Sequence, residues 1–239
     1  MSFIHGIGDM TRTVFVTPVE QPHAMEPRQL RRVRIFAVIT LIAGAVMLWA
    51  ALRIAPGDPM FYPATLGLAA VWAIGGFAGG RPRLGWVRTR RGELTRPVLQ
   101  PFLIGLALVA LFIAGAVVVA QIPVLREPVD RLLDHAQFGS LPVVLALTVL
   151  NGVVEELFFR GTLYDALPAR WAIPGTVIVY AAVTAASGVV LLVFAGALLG
   201  LVTALQRRVS GGVLAPIITH ITWSSAMLLL LPPVLGALG

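Results

Sequence analysis

The chain is predicted to be an all-α membrane protein, a polytopic bundle of about seven transmembrane helices. Three observations carry that expectation. Of its 239 residues 58% are hydrophobic and only 12% are charged, which no ordinary soluble domain combines. The apolar residues fall into long runs of bilayer-crossing length. The charges collect in the short segments between those runs, with one exception inside a run.

The charge itself is one-sided. All eighteen basic residues are arginine, and the formal net charge is +7. A basic excess confined to the ends of apolar spans is the positive-inside pattern of a membrane protein rather than a nucleic-acid surface. With no lysine there is no Schiff base and no Ser-Lys dyad, and with no cysteine there is no disulfide, thiolate ligand or thiol nucleophile. The surplus of Ala, Gly, Val and Arg points to a bacterial, high-GC genome and so to the plasma (inner) membrane.

Residues 1–33 are polar, with Pro18, Pro22 and Pro27, and end in Arg28, Arg31 and Arg32, with Arg34 just beyond. They read as a mobile cytoplasmic tail in which His5 and His23 are solvated. A cleaved signal peptide is not expected, because the polar lead is long and the run after it is long enough to span. Residues 34–122 form a three-span region. The first span is about Ile35–Ile54, closed by Ala55-Pro-Gly-Asp-Pro59. The second is about Met60–Phe77, with Tyr62 and Trp72 as interfacial anchors. A basic loop from Arg81 to Arg96 leads to the third, about Phe102–Ile122. Residues 123–138 mix Arg126, Glu127, Asp130, Arg131 and Asp134 with Leu125, Leu132 and Leu133, the pattern of an amphipathic interfacial segment on which His135 is exposed.

Residues 139–239 hold four more spans: about Leu141–Leu163, Pro174–Ser187, Val189–Leu205 and Val213–Leu231. Arg170 and Trp171 mark one boundary, Gly188 breaks a helix, and Ser210-Gly-Gly212 makes the last turn. Neither an internal repeat nor a separate soluble domain is expected. With the N-terminus in the cytoplasm, seven spans put every arginine on the inside except Arg53, Arg126, Arg131 and the intramembrane Arg160. The C-terminus is then outside.

The exception lies in Asn151-Gly-Val-Val-Glu-Glu-Leu-Phe-Phe-Arg160. A charge at mid-bilayer costs about 2.5–3.5 kcal/mol on insertion scales, so three within six positions require a reason. Glu156 and Arg160, acid first and four apart, suit an intrahelical ion pair. Glu155 points about 100° away from Glu156 and shares a face with Asn151. His220, the one histidine in a span, falls at a similar depth from the cytoplasmic side, with Ser224 one turn beyond it and Pro216 one turn before, where it would bend the helix and free the Gly212 carbonyl. Adjacent carboxylates in different surroundings can divide acid–base work. Glu155 is assigned the base that takes a proton from water, and Glu156 the ionised partner of Arg160. His220 is assigned an oxyanion donor or a metal ligand, with Asn151 and Ser224 as supporting polar partners. Thr184, Ser187 and Thr203 read as helix-packing residues, and Gly196 with Gly200 as a close-packing face.

Glu155-Glu156-x-x-x-Arg160, then Gly161, the Phe194-Ala-Gly-Ala-Leu-Leu-Gly200 stretch and Ala215-Pro-Ile-Ile-Thr-His220, resemble the CPBP (Abi) family of intramembrane proteases, which includes type II CAAX prenyl endopeptidases and bacteriocin-processing or immunity proteins. The resemblance covers about residues 139–230. It implies a helical bundle in which a glutamate activates water to hydrolyse a membrane-associated peptide, CAAX-like or leader-like, with histidines and an asparagine assisting. The first motif carries over onto Glu155, Glu156 and Arg160, and the last onto His220, with Ser224 at its asparagine. The middle motif, Phe-x-x-x-His, finds no histidine: one register puts Val183 and Ser187 there, another Tyr180 and Thr184. A divalent metal such as zinc, often ascribed to the family, is therefore under-liganded, with Glu155 and His220 as its two donors and Glu156 a third only if it leaves Arg160. Two functions follow from the resemblance: an intramembrane endopeptidase, or an inactive homologue serving as membrane scaffold, immunity factor or subunit of an envelope complex. A transporter fits less well, since its charges would be spread over several spans. The expected partners are the lipid bilayer and a peptide or membrane protein, and no nucleic acid.

Overall fold

A computed structural model describes residues 25–88 and 93–238. Residues 1–24, with His5 and His23, and Arg90 and Arg91 of the basic loop lie outside the described residues. The chain runs α1 (Pro27–Ala51), α2 (Phe61–Ala78), a two-stranded hairpin of β1 (Val87–Arg88) and β2 (Leu94–Thr95), then α3 (Leu99–Val119) and α4 (Pro123–Gln137). It continues through α5 (Leu141–Glu156), α6 (Ala169–Thr184), α7 (Val190–Ser210) and α8 (Leu214–Ala237). Among the described residues seven helical segments are long and apolar enough to cross a membrane, and α4 is not one of them. The all-α bundle of seven spans is as expected.

Several boundaries move, each for a local reason. The first helix starts at Pro27, eight residues before Ile35, because proline at the first helical position needs no N–H partner and nothing after it breaks the helix. Arg28, Arg31, Arg32 and Arg34 are therefore helical. Pro174 lies inside α6 rather than opening it, and Arg170 and Trp171 belong to the first turn of that helix. Arg207 and Arg208 form the last turn of α7, where cations complement the exposed carbonyls. Gly188, at φ +74°, ends α6 after a 3-10 turn through Ser187.

Two aromatic and histidine placements are corrected. Trp72 is 1% exposed and stacks on Phe158 at 5.2 Å between ring centroids, so it is a core residue and not an interfacial anchor. His135 is 7% exposed, with Nε2 2.9 Å from the Ile54 carbonyl and its ring 4.5 Å from Phe61. It sits on the inward face of α4 with Val129 and Leu133, so the amphipathic helix buries the histidine that its polar neighbours suggested was exposed. Tyr62 accepts a hydrogen bond from the Ser140 amide at 2.8 Å, tying the start of α2 to the start of α5.

The helices enclose three apolar clusters. One joins α1, α2, α6 and the end of α5 around Trp72, Phe158, Phe159 and Tyr180. A second joins α3, α7 and α8 around Leu108, Leu199 and Trp223, and a third packs α4 under α3 and α8. The outward faces are apolar too: Ile35, Ile39, Ile42 and Val46 on α1, and Leu103, Leu111 and Val118 on α3, are exposed, as lipid contact requires. Trp72 fits against α1 because residue 44 is glycine; a Cβ there would overlap the indole of Trp72. Gly44→Ala is expected to cost about 1–3 kcal/mol through overpacking, read as a lower unfolding midpoint in mixed detergent–SDS micelles. An unchanged midpoint would refute this α1–α2 contact.

The segments assigned to one side of the membrane meet at one end of the bundle. Asp165 bridges Arg83 (2.8 Å) and Arg207 (2.7 Å), and Arg34 Nε donates to the Ala166 carbonyl at 2.9 Å. The Trp86 amide donates to the Ser210 carbonyl, and the amides of Val213 and Leu214 donate to Arg83 and Leu84. Ile54, His135, Arg126 and Leu235 meet at the opposite end, where Arg126 Nη2 donates to the Leu235 carbonyl.

Candidate functional site

Halfway along the bundle a group of polar side chains lies among the apolar clusters. Helix α5 brings Asn151, Glu155 and Glu156, and a π-helical segment, Leu157–Leu163, follows without a break and carries Arg160. π segments are frequent at functional sites. The wider turn lets the consecutive Phe158 and Phe159 both be fully buried, and the Arg160 carbonyl within it accepts a hydrogen bond from Arg207 Nε at 2.7 Å.

Glu156 and Arg160 are both 0% exposed, and Arg160 Nη1 donates to Glu156 Oε1 at 2.9 Å. Arg160 Nη2 donates to the Gly200 carbonyl at 3.0 Å, and its guanidinium lies 4.8 Å from the centre of the Tyr180 ring. Gly200 permits this: a Cβ there would stand 3.1 Å from Arg160 Nη2 and 3.3 Å from Tyr180 Cδ1. The expected close-packing pair thus serves two contacts, since Gly196 abuts Thr184 in the same way.

The pairing of His220 differs from the expectation. His220, 6% exposed, sets its Nδ1 2.9 Å from Glu156 Oε1, the same oxygen that Arg160 holds. Glu155, half-buried, instead receives the Tyr180 hydroxyl on Oε2 at 2.7 Å. Helical phase explains the exchange. Gly152 precedes Glu156 by one turn, and a Cβ on it would lie 3.5 Å from His220 Cδ2, so that face is the one pressed against α8. Glu155, about 100° around the helix, faces α6. In the tautomer with a proton on Nδ1, His220 donates to Glu156, which leaves Nε2 as the ring nitrogen not held by the carboxylate. The histidine also spans two apolar clusters, with its ring 6.5 Å from both Tyr180 and Trp223.

Asn151 is buried and Ser224 partly buried, and neither bonds to Glu155 or His220. Asn151 Nδ2 donates to the Leu147 carbonyl at 2.9 Å, while Asn151 Oδ1 and Ser224 Oγ are buried without a hydrogen-bond partner among the described residues. Pro216 does not bend α8. It stands in the first turn, where its missing N–H leaves no intrahelical bond unmade, and the Gly212 carbonyl accepts from Ser210 Oγ at 3.2 Å. Of the two middle-motif registers, the one at Tyr180 and Thr184 reaches the cluster, through Tyr180. Thr184 Oγ1 donates to the Tyr180 and Ala181 carbonyls, and Ser187 Oγ accepts from the Val189 amide. Tyr180 is thus the site residue that sequence reasoning passed over. Its signal was a phenol inside an apolar span, since a buried tyrosine hydroxyl needs a partner.

The donor set does not fit a catalytic zinc. Such a site takes three protein ligands and a water. Here one oxygen of Glu156 is shared by Arg160 and His220, Glu155 is held by Tyr180, and no group of three His, Cys, Asp or Glu among the described residues is placed to hold a metal ion.

Fold and cluster together define a polytopic membrane protein built around a buried and a half-buried carboxylate, an imidazole, a phenol and a guanidinium. Residues 137–226 match the family model described as type II CAAX prenyl endopeptidase Rce1-like, of the CPBP family to which the sequence motifs pointed. The match covers less than half of the chain, from the end of α4 into α8, and includes every residue of the cluster. No curated protein and no solved structure matches the chain.

Proposed function

We propose that the protein is an intramembrane endopeptidase that hydrolyses a membrane-associated peptide, CAAX-like or leader-like, with Glu155 as the general base. The observation that carries this reading is the division of labour between adjacent carboxylates. Among the described residues each acid has one oxygen with no protein donor, but Glu156 is 0% exposed, with its other oxygen shared by Arg160 and His220, whereas Glu155 is half-buried and keeps its free oxygen on a partly open face. In the reaction Glu155 takes a proton from water as the water oxygen adds to the peptide carbonyl carbon. The C–N bond then breaks, and the proton passes to the departing amine. With a proton on each ring nitrogen, His220 donates through Nε2 to the carbonyl oxygen as it becomes an oxyanion, while Nδ1 donates to Glu156, which orients the ring as a carboxylate does in a hydrolase triad. In this reading the arginine-rich end faces the cytoplasm of a bacterial cell and the C-terminus lies outside.

Incubation of the purified protein in detergent with a prenylated CAAX peptide, and separately with an unprenylated leader peptide, tests the reading. Cleavage of either is the expected result. Failure on both, with the folded protein intact, would overturn it.

A second reading, an inactive homologue that serves as a membrane scaffold, immunity factor or subunit of an envelope complex, is favoured by one observation. Neither register of the middle motif offers a second imidazole: the Thr184 hydroxyl is consumed by its own helix, and Ser187 Oγ accepts from the Val189 amide. The two readings separate in cells: a scaffold keeps its phenotype when Glu155 is replaced, and an endopeptidase loses it.

A further inference from the structure

The Tyr180 hydroxyl is the one protein group that donates a hydrogen bond to Glu155 among the described residues, and the phenol that carries it is held on several sides. The ring is 5% exposed. Phe159 meets it edge-on at 4.6 Å between centroids, the Arg160 guanidinium covers a face at 4.8 Å, and α7 approaches so closely at Gly200 that a Cβ would stand 3.3 Å from Cδ1. A phenol has only two side-chain torsions, so a fixed ring also fixes its oxygen. Glu155 is the opposite case. Its flexible side chain on a half-buried face could aim either oxygen in many directions, and the 2.7 Å contact fastens Oε2 alone.

Phenylalanine would fill the same volume against Phe159 and Gly200. The hydroxyl therefore adds nothing to packing, and a buried hydroxyl is unfavourable unless it is bonded. What it adds is a direction for the carboxylate. Arg160 links the two acids: its Nη1 neutralises Glu156, and the same guanidinium lies over the ring that holds Glu155.

We propose that Tyr180 is a positioning residue for Glu155: it holds Oε2 so that the other carboxylate oxygen is presented to the attacking water. The inference rests on Glu155 being the general base. Proton transfer is sensitive to placement, and an error of about 1 Å costs on the order of 10²-fold in rate. The role belongs to the chemical step and not to peptide binding.

Tyr180→Phe and Glu155→Gln, each compared with the wild-type protein in the same detergent, test it by two readouts. In kinetics, Tyr180→Phe is expected to lower kcat by up to about 10²-fold with KM and the unfolding midpoint unchanged. In infrared spectra, the carboxylate stretch of Glu155, identified as the band missing in Glu155→Gln, is expected to shift in Tyr180→Phe. A fall in kcat accompanied by a raised KM and a lowered midpoint would mean packing alone and would overturn the proposal. A Glu155 band that does not move overturns it whatever the activity. If the wild-type protein cleaves nothing but the band still shifts, Tyr180 does orient Glu155 and it is the endopeptidase reading that fails.

Discussion

Glu155→Gln should reduce peptide hydrolysis by about 10²–10⁴-fold, the range that a positioned general base contributes. The amide keeps the size of the side chain and can still accept the Tyr180 hydroxyl, so the fold is expected to survive. It cannot take a proton from water. The neighbouring substitution acts differently. Glu156→Gln strips Arg160 of its counter-ion and His220 of its anionic partner, so it should lower stability as well as rate. The measurement is initial-rate cleavage with an unfolding midpoint for each variant. Equal rates for Glu155→Gln and wild type would remove Glu155 from the chemistry, and a loss confined to Glu156→Gln would move the base one residue along.

Arg160→Met carries the largest expected loss of stability. Both members of its pair with Glu156 are 0% exposed, and removing one leaves an uncompensated charge in the bundle. Breaking such a pair costs roughly 3–5 kcal/mol. The same change removes the donor to the Gly200 carbonyl and the cation over Tyr180, so α7 and α6 both lose a tie to α5. Equilibrium unfolding in mixed micelles should show the loss, and the double variant Glu156→Gln/Arg160→Met should recover part of it because no charge is then stranded. A single variant as stable as wild type would mean that Glu156 finds another cation or takes up a proton without strain.

Features governed by local spacing were legible in the chain. Span number follows from apolar length, and the Glu156–Arg160 contact follows from a separation of four on one helix, which even the π-helical turn preserves. The shared end of the arginine-rich segments follows from counting spans, and Arg83, Asp165, Arg207 and Arg34 meet there. Helix ends were less legible. α1 begins at Pro27 and α6 just after Pro168, both earlier than hydropathy suggests, because hydropathy marks where lipid begins and not where the backbone becomes helical.

Rotation about each helix axis was not legible. A helix that is apolar on all sides has no polar face to show which side meets a neighbour. Trp72 and Tyr180 were misplaced or passed over for that reason, and His135, although on an amphipathic helix, because its burial too depends on which element lies opposite. Glycines held the missing information: Gly44 opposite Trp72, Gly152 opposite His220 and Gly200 opposite Tyr180 mark where backbones approach.

By itself, then, the sequence determined a seven-span bundle, the identity of its charged residues and the pairing of two of them, because hydropathy and helical periodicity act within single segments. The tertiary structure alone decided that His220 leans on Glu156 and that Glu155 is held by Tyr180. Those partners lie 64 and 25 residues apart. Whether they meet depends on how α5, α6 and α8 are turned toward one another, and that is settled by packing between helices.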